Sequence, residues 1–358
     1  MNTSFLRRQE SVFLNPQMNS TSNISIKWLL LIVALLLAFI LDIWLGSVDI
    51  PIKETLNILV GGNSHNQAWE KIILLFRVPK ATTAVMAGGA LAVSGLMMQS
   101  FFRNPLAGPF VLGISSGASL GVAILVMAGF SGAFLINSFG IVIAASIGAG
   151  LAFTFVLLAS IRIKDSATLL IIGLMVGSIT GAIVGTLQYF SSAKQLQAFT
   201  IWTFGSLSNV SLKDLPLFIG FTSLGLIVSF VLFKPMNAIL MGEQYAKSLG
   251  VNIGRLRNGI LLSTGLLAGV VTAYCGPIAF IGIAVPHLTR AIIPTNDHKK
   301  LIPSVFLMGS LVLLICDVVA QLPGSDHVLP INIVTSILGA PVVIWVILKK
   351  RKLGSSFN

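Results

Sequence analysis

Met241-Gly242-Glu243-Gln244-Tyr245-Ala246-Lys247-Ser248-Leu249-Gly250-Val251-Asn252-Ile253-Gly254-Arg255-Leu256-Arg257 is one of the few polar islands in an otherwise strongly apolar chain. Glu243, Lys247, Arg255 and Arg257 keep it out of a bilayer core. The spacing predicts two short helices lying at a membrane surface. Ala246 and Leu249 share a helical face beside Tyr245, and Gly250 is placed to end that helix. Asn252 is placed to cap a second short helix carrying Arg255 and Arg257. A membrane protein presents such an element to a soluble partner. The plainer reading is a cytoplasmic loop whose basic side chains snorkel to the headgroups.

The composition around this island is that of a polytopic membrane protein. Of 358 residues, 55% are hydrophobic and only 9% charged, with a mean hydropathy of +0.94. The net charge of +12 does not point to nucleic acid, because the basic residues sit between apolar runs and not in a patch with aromatics. They read as topology signals and lipid-headgroup contacts. Cys275 and Cys316 lie in or beside apolar segments and are expected to be free; two cysteines make neither a disulfide framework nor a metal site.

Residues 1–26 read as a disordered cytoplasmic tail, and residues 351–358 as a second cytoplasmic tail. Between them, apolar runs occupy 28–46, 81–102, 110–129, 133–160, 167–190, 215–233, 258–275, 277–293, 301–322 and 329–348. Each is near or above the roughly 17 residues that a spanning helix needs. The expectation is an all-α permease domain over 27–350 with ten transmembrane helices. The seventh and eighth are the shortest, separated by Gly276-Pro277. With the N-terminus inside, all Lys and Arg except Lys53, Lys71, Arg77, Lys80, Lys194 and Lys213 fall on the inside, which supports both termini in the cytoplasm.

Two glycine ladders, Gly113/Gly117/Gly121 and Gly173/Gly177/Gly181/Gly185, predict close helix packing in lipid. Gly108-Pro109 follows the second run and Gly276-Pro277 the seventh, on opposite sides, as an inverted repeat of helices 2–5 and 7–10 would require.

Catalytic patterns are missing. There is no phosphate loop, no His-Glu-x-x-His, no Cys-x-x-Cys and no nucleophile elbow, so neither an enzyme nor a resident metal or cofactor is expected. Asp42 and Asp317 are the acidic residues within the spans. A proton-coupled secondary transporter using Asp317 as its relay is the rival reading. With so little intramembrane charge and no nucleotide site, the energy for transport is expected from another chain.

Several ordered motifs then become specific. They are Arg77-Val78-Pro79-Lys80, Gly89-Ala90-Leu91-Ala92-Val93-Ser94-Gly95, Arg103-Asn104-Pro105-Leu106-Ala107, Gly242-Glu243-Gln244-Tyr245-Ala246, Val285-Pro286-His287-Leu288-Thr289-Arg290 and Leu338-Gly339-Ala340-Pro341. Together, over about residues 70 to 350, they resemble the permease subunits of ABC importers for ferric siderophores, haem and cobalamin. The resemblance implies a type II importer permease in a bacterial plasma membrane, paired with a second copy or a related permease. Two ATPase subunits would bind inside and a substrate-binding protein outside. It places coupling helices at about 240–257, with Gly242, Glu243, Tyr245, Ala246, Leu249, Gly250 and Arg255 at the ATPase. Arg77 and Lys80 would dock the binding protein, although Gln321 stands where some members carry a third basic residue. Asn104, Pro105, Leu106, Asp165 and Ser166 would narrow the path on the cytoplasmic side. An iron chelate is the first substrate expected, with cobalamin the alternative.

Overall fold

The computed structural model describes residues 21–62, 64, 66–128, 138–163, 165–321 and 328–354. Among these residues the chain is helical, without strands. Its helices are α1 (Thr21–Trp44), α2 (Ile52–Leu59), α3 (Gln67–Phe102), α4 (Ile114–Met127), α5 (Ser138–Arg162), α6 (Ser166–Phe190) and α7 (Ala193–Thr203). There follow α8 (Leu215–Val231), α9 (Phe233–Leu240), α10 (Glu243–Ser248), α11 (Ile253–Cys275), α12 (Ile281–Ile292), α13 (His298–Ala320) and α14 (Ile331–Gly354). Of the expected N-terminal tail, residues 1–20 lie outside the described residues, and 21–26 already belong to α1. Of the C-terminal tail, α14 continues to Gly354 and 355–358 lie outside.

Among the described residues six helices are long and apolar enough to cross a membrane: α1, α3, α5, α6, α11 and α13. They become seven if α8 and α9, bent by 48°, are one broken span. The ten expected spans are thus not all full-length helices. The short ones are α4 and α12, whereas α14 runs 24 residues. The seventh run, expected to be short, is instead the 23-residue α11. The cause is local backbone. The third run loses its start to a 3-10 turn, Pro109–Leu112, closed by Gly113 at φ 74°. The eighth loses Pro277 to Phe280, the last of these at φ 66°, a left-handed conformation that a residue with a Cβ seldom adopts.

α3 is the axis of the bundle. In its most apolar window 83% of residues are buried, against 11% for α1. Ala81, Ala84, Ala87, Gly88, Gly89, Ala90, Ala92, Ser94 and Gly95 make it small on every side, so other helices pack around it instead of against one stripe. It packs along α13, α11, α12 and α8. The contacts form matching pairs. α3 lies along α13 as α11 lies along α5, and α12 lies on α3 as α4 lies on α11. α4 packs on α5 and α6 as α12 packs on α13 and α14.

Glycine sets the closest approaches. A Cβ on Gly88 would stand 2.3 Å from the Gly309 carbonyl oxygen, and one on Gly95 would stand 1.7 Å from that of Gly282. In the first ladder, Gly117 and Gly121 face Gly148 and Ala144 in the same way. The second ladder behaves differently. Gly173 abuts the Val111 carbonyl, but Gly181 and Gly185 meet nothing within 4 Å. Gly95→Ala is therefore expected to destabilise the chain by at least about 1–3 kcal/mol, the usual cost of overpacking. Gly181→Ala and Gly185→Ala should leave thermal unfolding of the detergent-solubilised chain unchanged. Equal midpoints for all three variants would rule out this packing scheme.

Candidate functional site

The polar island folds as the sequence implies at its start and differently at its end. Gly242, at φ 121°, turns the chain out of α9 into α10. Gly250, at φ 81°, closes α10, and the Val251 N–H bonds the Ala246 carbonyl at 3.0 Å. Ala246 is fully buried beneath the helix, whereas Glu243 and Lys247 form an exposed ion pair at 2.9 Å. The second short helix does not exist as such. Asn252 does cap a helix, accepting from the Arg255 N–H at 3.0 Å, but that helix is the full-length α11. Arg255 is exposed on its first turn. Arg257 turns aside, and its guanidinium donates to the Ile163 carbonyl at the end of α5.

What α10 offers outward is apolar. Tyr245 and Leu249, 50% and 60% exposed, lie one helical turn apart, and Met241, 70% exposed, stands just before the Gly242 turn that opens α10; the three are the exposed apolar knuckle of this element. The adjacent charged pair supplies a polar rim. Large apolar side chains clustered on a charged surface element, away from the apolar spans, mark a contact for another protein.

On the opposite side, Arg77 and Lys80 are not presented outward. Arg77 sits in the last turn of a π-helical stretch, Ile73–Arg77, and is 8% exposed. Its guanidinium donates to the carbonyls of Ile43 at 2.9 Å, Trp44 at 2.7 Å and Val48 at 2.5 Å, so it caps the end of α1. Gly46 makes room for it: a Cβ there would lie 2.6 Å from the guanidinium. Lys80 forms an ion pair with Asp317 at 2.8 Å, where the carboxylate side chain is 4% exposed. Gln321 also turns inward and donates to Asp42 at 2.7 Å. Arg77 and Lys80, expected to dock the binding protein, thus have their partners within the chain. Both cations are consumed inside the bundle, because a buried carboxylate and the open end of a helix must find partners where water is absent. Of the basic residues expected on the outer side, Lys53, Lys71, Lys194 and Lys213 are exposed.

The two loops expected to form a gate are each held by their own partners. Arg103 ends α3 at φ 48°, and the Asn104 side chain accepts from the Leu106 N–H at 3.0 Å, a tight side-chain turn. The Pro105 carbonyl meets His287 Nε2 at 2.9 Å, and Leu106 remains 40% exposed. Asp165 caps α6, which starts at Ser166. Its carboxylate accepts from the Thr168 hydroxyl at 2.6 Å and from the Thr168 N–H at 2.7 Å, which holds it below the usual carboxylate range.

A central small-residue helix, an apolar knuckle on a short surface helix and the quoted motifs agree with the comparisons to known proteins. The FecCD transport family matches this sequence over residues 33–349. The chain belongs to that family. Among its relatives, the hemin transport system permease HmuU of Yersinia pestis is 35% identical over 90% of this chain and 96% of that protein. The vitamin B12 import system permease BtuC of Shigella boydii is 34% identical over 92% and 97%. An iron chelatin transport system permease of Helicobacter pylori is 36% identical over 78% and 83%. A solved inward-facing structure of a metal-chelate type ABC transporter superimposes with a TM-score of 0.78 at 27% identity, covering 89% of this chain and 97% of that one.

For a FecCD chain the sequence reading missed two features. Met241 adds a third exposed apolar side chain beside α10, and an apolar residue directly before Gly242 was a legible signal. Asn237 and His298 tie α9 to α3 and α13, and nothing in their spacing announced it. In this FecCD chain Lys80→Met should strand Asp317 and cost roughly 3–5 kcal/mol, the range for breaking a buried pair. Adding Asp317→Leu should recover most of that loss in a thermal-unfolding cycle. Independent, additive effects of the two changes would show that the ion pair does not matter.

Proposed function

We propose that this chain is the membrane-spanning permease subunit of an ABC importer and carries an iron chelate, haem or a ferric siderophore, across a bacterial plasma membrane. The observation that carries the proposal is the exposed Met241–Tyr245–Leu249 knuckle on α10. It is a docking element on a chain with no nucleotide-binding motif of its own, in a family of transport permeases. ATP hydrolysis then belongs to a separate subunit, and two such ATPases serve a pair of permeases. The names of the HmuU and Helicobacter relatives support an iron chelate; BtuC, at nearly the same identity, keeps cobalamin as the alternative.

The ten expected crossings are α1, α3, α4, α5, α6, α8 with α9, α11, α12, α13 and α14, with both termini in the cytoplasm. The paired contacts of α3–α6 and α11–α14 support an inverted repeat, in which α4 and α12 are the half-length members. Gly181 and Gly185 leave a small-residue stripe on α6 with no partner within the chain, which suits a second permease copy. Between α5, α8 and α11 an apolar groove of about 830 Å³, lined by Phe139, Phe153, Phe221 and Leu262, suits lipid tails. Asn104, Pro105, Leu106, Asp165 and Ser166 narrow the path inside.

Purification of a tagged chain from its own membranes in mild detergent tests the reading. An ABC ATPase is expected in equal amount, and replacing Met241, Tyr245 and Leu249 together by Asp should release it. A wild-type chain that purifies alone overturns the proposal. Uptake of hemin, a ferric siderophore or cobalamin by the reconstituted complex then names the cargo.

Docking of the substrate-binding protein falls to the exposed lysines. Changing Lys53, Lys71, Lys194 and Lys213 to Glu should weaken binding-protein affinity at least tenfold at low salt and much less at 0.5 M salt. Unchanged affinity at low salt would return the role to another surface.

A further inference from the structure

α10 is connected to the bundle by two covalent routes, and both contain a soft point. Backward, α9 meets α8 at the 48° bend. Forward, α10 reaches α11 through Gly250 at φ 81°. A third route is not covalent. The Asn237 side chain, on α9, accepts the His298 backbone N–H at 2.8 Å and meets His298 Nδ1 through the same oxygen at 2.8 Å. Its amide nitrogen donates to Asp297 at 2.7 Å. The orientation of this amide is settled by its neighbours, since the backbone N–H can only donate and the carboxylate only accept. Nδ1 of His298 must then carry the proton. Its Nε2, 2.9 Å from the Ser100 hydroxyl, accepts from it. The result is a directed chain from Ser100 on α3, through His298 at the start of α13, to Asn237 on α9 and Asp297. His298 is 1% exposed and Ser100 5% exposed, so water does not compete. Beside it, Arg103, the residue that ends α3, donates to the Ile239 carbonyl on α9 at 2.7 Å. Asn104-Pro105-Leu106 follows Arg103 directly.

We propose that Asn237, His298 and Ser100 are positioning residues that carry displacement of α9–α10 to the inner end of α3, and so to the Asn104–Leu106 loop. This rests on the reading of α10 as the ATPase contact. The physical reason is stiffness. A bend at Leu232 and a glycine at 250 absorb motion, whereas a hydrogen-bond chain between packed helices, buried at its His298–Ser100 end, does not.

The test uses the whole importer in proteoliposomes, with spin labels paired across the two permease copies at Gln244→Cys, exposed on α10 outside the knuckle, or at Leu106→Cys. Distances are read without nucleotide and after trapping with ATP and vanadate, so no cargo is needed. In an otherwise unaltered complex both positions are expected to shift. With Ser100→Ala the shift at 244 should persist while that at 106 falls to less than half, with ATPase activity within twofold of its starting value. Ser100→Thr, which keeps the hydroxyl, should restore the shift at 106. A full shift at 106 in Ser100→Ala overturns the proposal, as does a Thr variant as defective as the Ala variant, which would mean packing alone. Should Ser100→Ala fail to assemble, His298→Asn, which keeps the Nδ1 side of the link and loses the Ser100 side, is read against the same criteria. Failure of the wild-type chain to bind an ATPase is a separate result and strikes the proposed function instead.

Discussion

Lipid tails are as apolar as leucine, so the attraction that gathers apolar helices in water is missing inside a bilayer. What holds this bundle is how closely its backbones approach, and the contacts of Gly88 with Gly309 and of Gly95 with Gly282 set that distance. From them follow the central place of α3 and the wrapping of α13, α11 and α12 around it. The leucines of α1, which look like the most hydrophobic core of the sequence, instead face outward: Leu29, Leu30 and Leu37 are all more than 60% exposed. In this chain hydrophobicity marks the outside and smallness marks the inside.

The second constraint is that polar groups inside the membrane must be satisfied by the protein itself. Arg77 and Lys80 illustrate it. One closes the open carbonyl end of α1 and the other neutralises Asp317. Their departure from the positive-inside trend, expected from the sequence, therefore has an internal explanation. It also removes the basis for Asp317 as a proton relay, since that carboxylate already has its cation and family membership supplies an external source of energy.

The polar island and the bundle form one mechanical unit. α10 shows an apolar knuckle to one side and roots Ala246 on the other, while Asn237 and Arg103 fasten the adjoining α9 to the axis helix. In the proposed function, movement is passed between surfaces, and the residues that pass it need be neither exposed nor charged.

Composition and residue order alone determined that the chain is a helical membrane protein, where most apolar helices fall, that α10 is a short surface helix ended by Gly250, and which family it joins. These are local or statistical properties: run length, turn chemistry and ordered motifs act within a few residues. Tertiary structure decided the rest. It showed that the third and eighth runs are short helices, because backbone turns at Gly113 and Phe280 consume their starts. It merged the second half of the island into α11, because Asn252 caps whatever helix follows, however long. It turned Arg77, Lys80 and Gln321 inward and joined Asn237 to His298 and Ser100 across 61 and 198 residues of sequence. A side chain's partner across the bundle depends on how helices cross, and no local pattern in the sequence encodes that.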